Sequence, residues 1–136
     1  MASSELHLAQ ATHNREFHGC IQTTFNDRFY DWKITALFYT AIHWLKALAA
    51  KRTIDIGETH SDIARNVNPE RHSPKMPISR NAWRDYHQLY RYSQSARYNG
   101  ITDFETWEKL KEADHKSCLE HLENFKKYIE GQGLAL

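Results

Sequence analysis

Apolar and polar residues alternate with a helical period along the whole chain. Apolar side chains recur every three or four positions, and no stretch alternates with period two for long enough to predict a strand. Four long helices are predicted, at about residues 5–24, 31–51, 78–98 and 103–130. A shorter helix is predicted after Thr59 or Ser61, ending at Val67. The sequence therefore predicts an all-α, antiparallel bundle of four to five helices, with residues 1–136 in a single domain.

The apolar stripes predict which face of each long helix points inward. The first helix is predicted to bury Leu6, Ala9, His13, Phe17, Cys20 and Ile21. The third long helix is predicted to bury Ile78, Ala82, Tyr86, Leu89, Ser93 and Ala96. The last helix presents Phe104, Trp107, Lys111, Asp114, Cys118, Leu122, Phe125 and Ile129 on one face, and Thr102 with Glu105 predicts a capping box at its start. Helix 31–51 is apolar nearly all round, which predicts either the central helix of a bundle or part of a dimer interface.

The composition predicts a protein of the cytoplasm. The chain has only two cysteines, and its first residues lead us to expect no secretory signal, so a disulfide framework is not expected. The most apolar run, residues 34–50, is too short to span a membrane and contains His43 and Lys46. We therefore predict a soluble protein that does not act in a membrane.

The formal net charge is +1, but the charged residues are distributed unevenly along the chain. Residues 65–97 carry seven basic and two acidic side chains. Within this region Arg80, Arg84, His87 and Arg91 are spaced so that they share one helical face. Such a face predicts contact with the phosphates of RNA or a nucleotide. The alternatives are a solvated face, or pairing with the acidic last helix of the same or a partner chain.

Histidine and arginine together can catalyse RNA cleavage, because histidine moves protons and arginine stabilises a charged phosphorane. Two Arg-x6-His pairs occur, Arg65 with His72 and Arg80 with His87. Chance placement gives roughly two such pairs in a chain of this composition. The spacing alone therefore carries no argument for catalysis.

Two other polar groups on the last helix have alternative interpretations. His115, Cys118 and His121 have zinc-compatible side chains, but the outer two point apart, so we predict no metal site. Lys111 and Asp114 interrupt the apolar stripe, which requires a partner because a buried unpaired charge is unfavourable. A structural ion pair is the favoured interpretation over a catalytic one.

Three segments resemble bacterial HEPN-domain proteins (higher eukaryotes and prokaryotes nucleotide-binding). They are residues 31–48, 59–67 and 86–98, which contain an FYTAIHW-type helix, a histidine-containing connector and an S-x-x-x-RY ending. The resemblance implies a four- to five-helix bundle that dimerises. Many members are metal-independent ribonucleases of toxin–antitoxin, abortive-infection or CRISPR systems. Others are non-catalytic modules that bind a nucleotide or dock onto a partner such as a nucleotidyltransferase.

The resemblance also implies where the nuclease motif should stand. Nuclease members carry Arg-x4-6-His near the junction of the last two long helices, which here begins at Arg97. The positions expected to hold histidine are Thr102, Asp103 and Phe104, so the motif is absent there. The sequence therefore leaves RNA cleavage and RNA binding without cleavage as open alternatives.

The residues predicted to take part in catalysis or in RNA binding fall into two sets. The predicted polar centre, carrying any catalysis, consists of Arg97, His60, His43, Arg65 and Tyr98. The predicted phosphate contacts are Arg80, Arg84, His87 and Arg91. We predict RNA or a nucleotide as ligand, a homodimer, an antitoxin or nucleotidyltransferase as a further partner, and neither metal nor cofactor. A small-molecule pocket lined by Trp32, Trp44 and Trp83 is a third alternative.

Overall fold

A computed structural model of the protein describes residues 2–98 and 103–136, with side chains described for 2–96 and 103–136. The described residues form five helices: α1 (Ser4–Thr24), α2 (Tyr30–Lys51), α3 (His60–Val67), α4 (Arg80–Tyr98) and α5 (Phe104–Gly131). The described part of the chain contains no strand. The predicted all-α helical bundle is confirmed, and the predicted helix bounds lie within two residues of the observed ones. None of the described helices is long and apolar enough to cross a membrane.

Long helices that follow one another along the chain run antiparallel. Ser4 at the start of α1 donates a hydrogen bond of 2.9 Å to the carbonyl of Ala47 near the end of α2. Asp85 near the start of α4 accepts a hydrogen bond of 2.8 Å from His121 in the second half of α5. The start of α4 therefore lies beside the end of α5, at the end of the bundle opposite the α1–α2 connection.

The second helix is the centre of the bundle. It contacts α1, α4 and α5, which cover most of its circumference. Its largest fully buried side chains include Lys33, Ile34, Leu37, Leu45 and Leu48. Of the two alternatives for this helix, the structure therefore shows the central one. Trp32 and Tyr39 are its exposed aromatic residues, at 56% and 39% exposure.

The predicted inward face of α1 is confirmed only at Ile21 and is wrong at its other five positions. Leu6 and Phe17 are 64% and 52% exposed, and Cys20 is exposed as well. The buried residues of this helix are Ala11 and Ile21. The inward face therefore runs through Leu8, Ala11 and Ile21, with His7 and His18 half-buried beside them.

The inward face of α4 is confirmed, and that of α5 is confirmed in part. The predicted residues of the α4 stripe are all buried. On α5 the buried members are Lys111, Cys118, Leu122, Phe125 and Ile129. Phe104, in contrast, is 63% exposed. The cap of α5 is Asp103, whose carboxylate accepts from the Glu105 amide; the predicted cap residue Thr102 lies outside the described residues.

The short helix α3 is fixed within the connector between α2 and α4 by hydrogen bonds. The Thr59 hydroxyl accepts a hydrogen bond from the Asp62 amide and thereby caps the helix. The buried Asn66 donates its side-chain amide to the carbonyl of Ile56 at 3.2 Å, and its own carbonyl accepts from the Met76 amide at 2.8 Å. These bonds fix the connector on both sides of α3 and so set the position of its first residue, His60.

Candidate nucleic-acid interface

Four rings stack where α3 meets one edge of α4. His60 lies face to face with Tyr90, with ring centroids 3.3 Å apart and planes 7° apart. Trp83 stacks on His87 at 5.2 Å and 20°. The His60 and His87 centroids are 6.1 Å apart, at 20°. We call His60, Trp83, His87 and Tyr90 the ring cluster.

Both histidines of the ring cluster are neutral at pH 7. Burial, with a smaller contribution from the nearby His87, lowers the pKa of His60 to about 4. Burial also lowers the pKa of His87, with a smaller contribution from the positive charge of Arg91. A neutral imidazole has one nitrogen that donates and one that accepts a hydrogen bond.

Three buried polar atoms at this position have no hydrogen-bond partner among the described residues. They are Nδ1 of His60, Nδ1 of His87 and the hydroxyl of Tyr86. Tyr86 contacts the His60 ring and is fully buried, which raises the pKa of its phenol. Leaving a buried polar group unpaired costs roughly 1–3 kcal/mol, so the packing of these rings is energetically unfavourable at three atoms.

A cleft of about 310 Å³ opens beside the ring cluster, between α4 and the connector that follows α3. Its walls are formed by Pro69, Glu70, Arg80, Trp83, Arg84, His87 and Gln88. The cleft therefore combines an aromatic face with two guanidinium groups. Its one carboxylate, Glu70, lies 3.7 Å from Nε of Arg80, and both side chains are largely exposed.

The predicted phosphate contacts differ in how they are paired. Arg80, Arg84 and His87 share the cleft, whereas Arg91 lies one helical turn beyond His87. Among the described side chains, neither Arg84 nor Arg91 has a carboxylate within 4 Å, in contrast to Arg80. Two of the three arginines on this face are therefore available to an external anion.

The predicted polar centre is only partly assembled within the described residues. His60 belongs to the ring cluster, but His43 forms a 3.0 Å contact with His7 of α1. Arg65 pairs with Asp62 at 3.0 Å on the exposed side of α3. The side chains of Arg97 and Tyr98 lie outside the described residues, so a catalytic role for this set stays a prediction.

Sequence reasoning missed two histidine pairs that hold α1 in place. Nδ1 of His7 lies 3.0 Å from Nδ1 of His43, and Nε2 of His18 lies 2.9 Å from Nε2 of His115. The spacing of His7 and His18 shows that they share one face, because they are eleven residues apart on a helix, but it does not reveal their partners on other helices. These pairs are structural contacts between helices and are separate from the ring cluster.

Lys111 and Asp114, the two polar residues that interrupt the apolar stripe of α5, form a structural ion pair. Nζ of Lys111 lies 3.0 Å from Oδ2 of Asp114 and donates to the Ser95 hydroxyl at 2.8 Å. The ammonium is almost fully buried, with 6% side-chain exposure. The observed contacts therefore agree with the favoured interpretation of Lys111 and Asp114 as a structural ion pair.

The remaining candidates do not form sites within the described residues. His115 contacts His18, His121 contacts Asp85, and Cys118 is buried, which raises the pKa of its thiol. Among the described side chains, no three or more histidine, cysteine, aspartate or glutamate residues lie together so that they could hold a metal ion. The three tryptophans also separate: Trp44 is buried, Trp32 is exposed and Trp83 lines the cleft.

The comparison with protein families agrees with this architecture. The model of the HEPN domain matches residues 14–132, which is most of the chain. The chain therefore belongs to the HEPN family, and this supports a nucleotide- or RNA-related function at the level of the family. Neither the comparison with curated proteins nor the comparison with solved structures gives a match.

Proposed function

We propose that this protein binds single-stranded RNA along the edge where α3 meets α4. The observation that carries the proposal is the ring cluster beside two arginines that lack a carboxylate partner among the described side chains. Single-strand binding surfaces combine aromatic rings, on which bases stack, with cations that contact the backbone. At this edge, aromatic rings and cations lie within a few turns of α4.

The arrangement of the groups suggests how a strand would lie. Arg84 and Arg91 are seven residues apart, which corresponds to about 10 Å along α4. His87 and the exposed edge of Trp83 lie beside them. The guanidinium groups would contact phosphate oxygens, and a base would enter the cleft against Trp83.

RNA cleavage is the second candidate, and one observation favours it. His87 is neutral and lines the cleft together with Arg84, so its imidazole could accept the proton of an attacking 2′-hydroxyl. Cleavage also needs a group that protonates the leaving oxygen at neutral pH. A histidine with a pKa of about 4 is a poor acid for this purpose. The chemistry of the ring cluster thus supports binding more strongly than cleavage.

The wider setting is also part of the proposal. We propose a homodimer that acts in a toxin or defence system, as the family resemblance implies. A non-catalytic module docked onto an antitoxin or a nucleotidyltransferase is the alternative. Sedimentation of the purified chain at micromolar concentration tests the dimer, and expression in cells with and without neighbouring genes tests toxicity.

Fluorescence anisotropy with a labelled single-stranded RNA tests the binding proposal. Arg84→Ala and Arg91→Ala should each weaken affinity, and each should reduce the slope of log K against log salt by roughly 0.7, the value for one lost phosphate contact on a single strand. Lys116→Ala is the matched control, because this lysine is exposed on α5, away from the cleft. It should leave both quantities unchanged.

Two results would contradict the proposal. The first is no RNA binding by the unaltered protein even at low salt. The second is equal losses for the two arginine variants and for Lys116→Ala, which would mean that only overall charge matters. RNA incubated with the protein in the presence of a chelator, followed by gel analysis, separates metal-independent cleavage from binding.

A further inference from the structure

A second and larger cleft lies on the other side of Arg84, between α4 and α5. Its volume is about 400 Å³, and Arg84 lines both this cleft and the one beside the ring cluster. The second cleft also contains the ammonium of Lys127 and the side-chain amides of Asn81 and Asn124. Lys127, Asn81 and Asn124 are all exposed, so their polar groups are accessible.

The single carboxylate of this cleft is already engaged. Oδ1 of Asp85 accepts a hydrogen bond of 2.8 Å from Nδ1 of His121, and the Asp85 side chain is only 14% exposed. Neither Arg84 nor Lys127 has a carboxylate within 4 Å among the residues whose side chains are described. The accessible groups of the cleft therefore include two cations and two amides, besides the hydroxyl groups of Ser79 and Tyr128.

This set of groups fits a phosphate. The non-bridging oxygens of a phosphodiester only accept hydrogen bonds, and guanidinium, ammonium and amide groups all donate them. A purely apolar ligand would leave these donors unpaired. An organic cation would meet two like charges.

The geometry points to the α4–α5 cleft as a second phosphate site for the RNA strand that occupies the ring cluster, with Arg84 contacting the backbone between them. This inference rests on the proposed function, because the same strand must fill the first cleft. It adds Lys127, Asn81 and Asn124 to the interface, and it gives the strand a direction across α4 towards the end of α5. None of these three residues stands out in the sequence.

Two exposed substitutions test the second cleft without disturbing the core. Lys127→Ala removes one cation, and Asn124→Asp keeps the shape of the side chain but adds an anion. For an oligoribonucleotide of about ten residues, within the range that single-strand binding proteins cover, we expect each to weaken binding about threefold to tenfold. Lys127→Ala should also lower the salt slope by roughly 0.7. For a dinucleotide held in the first cleft, neither variant should change the affinity.

The matched controls lie elsewhere on the chain. Asn26→Asp makes the same change of charge at an exposed position in the α1–α2 connection, at the opposite end of the bundle. Lys116→Ala removes an exposed lysine eleven residues before Lys127, about 16 Å away along the helix. Both should bind the longer RNA as the unaltered protein does.

The side-chain amide signals of Asn124 in an NMR titration give a direct reading. They should shift with the longer RNA and remain in place with the dinucleotide. If the protein binds RNA but the variants match their controls, the second site is wrong and the proposed function stands. Signals that move with inorganic phosphate and not with RNA would assign the cleft to a free anion and overturn the inference. If the unaltered protein binds no RNA, the proposed function fails first.

Discussion

Nε2 of His18 and Nε2 of His115 lie 2.9 Å apart, which joins α1 to α5 through one hydrogen bond between imidazoles. One ring must donate and the other accept, so a doubly protonated pair cannot keep this bond. Burial lowers the pKa of each ring to about 4, and the charge of Lys33 acts in the same direction on both. The bond therefore belongs to the neutral state of the pair.

Stability should fall as the pH is lowered from about 6.5 towards about 4. The unfolded chain binds protons on His18 and His115 near their ordinary pKa of 6.5, whereas the folded chain resists them until about 4. The stability that this histidine pair contributes is thus fully present above the ordinary pKa, and it is lost as the pH falls towards about 4. The His7–His43 pair contributes with the same sign, since burial lowers the pKa of both rings. Urea unfolding at a series of pH values measures this slope.

The variant His18→Gln should flatten that slope, because the amide cannot bind a proton in this range. The control is His13→Gln, at an exposed position of the same helix. We expect the control to have little effect on the pH dependence. Equal slopes for the unaltered protein and His18→Gln would show that the pair does not link protonation to folding.

The buried pair on α5 should respond asymmetrically to substitution. Asp114→Ala leaves the ammonium of Lys111 buried without its counter-ion and should lower the free energy of unfolding by about 3 kcal/mol. Lys111→Met removes the buried charge, while Asp114 is 25% exposed and can be hydrated, so this change should cost clearly less. Thermal and urea unfolding compare the two. If Lys111→Met lowered the free energy of unfolding more than Asp114→Ala, the lysine would stabilise the fold through further contacts besides its ion pair with Asp114.

The sequence predicted the bundle well, because apolar spacing directly reports which residues a helix buries. It failed on α1, where Leu6 and Phe17 are exposed and the inward face includes His7 and His18. Histidine counts as polar in any hydrophobic pattern, but a neutral imidazole with a hydrogen-bond partner can be buried at little cost. Pairing across helices depends on the tertiary structure and cannot be read from spacing.

The candidate site was predictable only in part. The shared face of Arg80, Arg84 and His87 follows from helical geometry and is observed. The pairing of Arg80 with Glu70 could not be foreseen, since Glu70 lies in an irregular connector whose course no pattern sets. The role of His60 beside Tyr90 depends likewise on how α3 packs against α4.

Trp83 should carry a measurable part of RNA affinity. Stacking of a base on an aromatic ring contributes about 1–3 kcal/mol, so Trp83→Ala should weaken binding about fivefold or more. Trp32→Ala, at an aromatic residue that is 56% exposed on another helix, is the control. Tryptophan fluorescence offers a second measurement: RNA should quench it in the control and far less in Trp83→Ala. Quenching that persists without Trp83 would place the base elsewhere.

Glu70 should act as an internal competitor for the RNA backbone. Its carboxylate lies 3.7 Å from Nε of Arg80 and inside the cleft, where it both occupies a cation and repels phosphate. Glu70→Gln should therefore raise RNA affinity about threefold and steepen the salt dependence, since Arg80 then becomes available. Glu58→Gln is the matched control, because Glu58 is an exposed glutamate that pairs with Lys46 at 3.5 Å away from the cleft. If both variants raise affinity equally, the gain reflects net charge alone. If Glu70→Gln weakens binding instead, the carboxylate contacts the base directly and the strand enters the cleft base first.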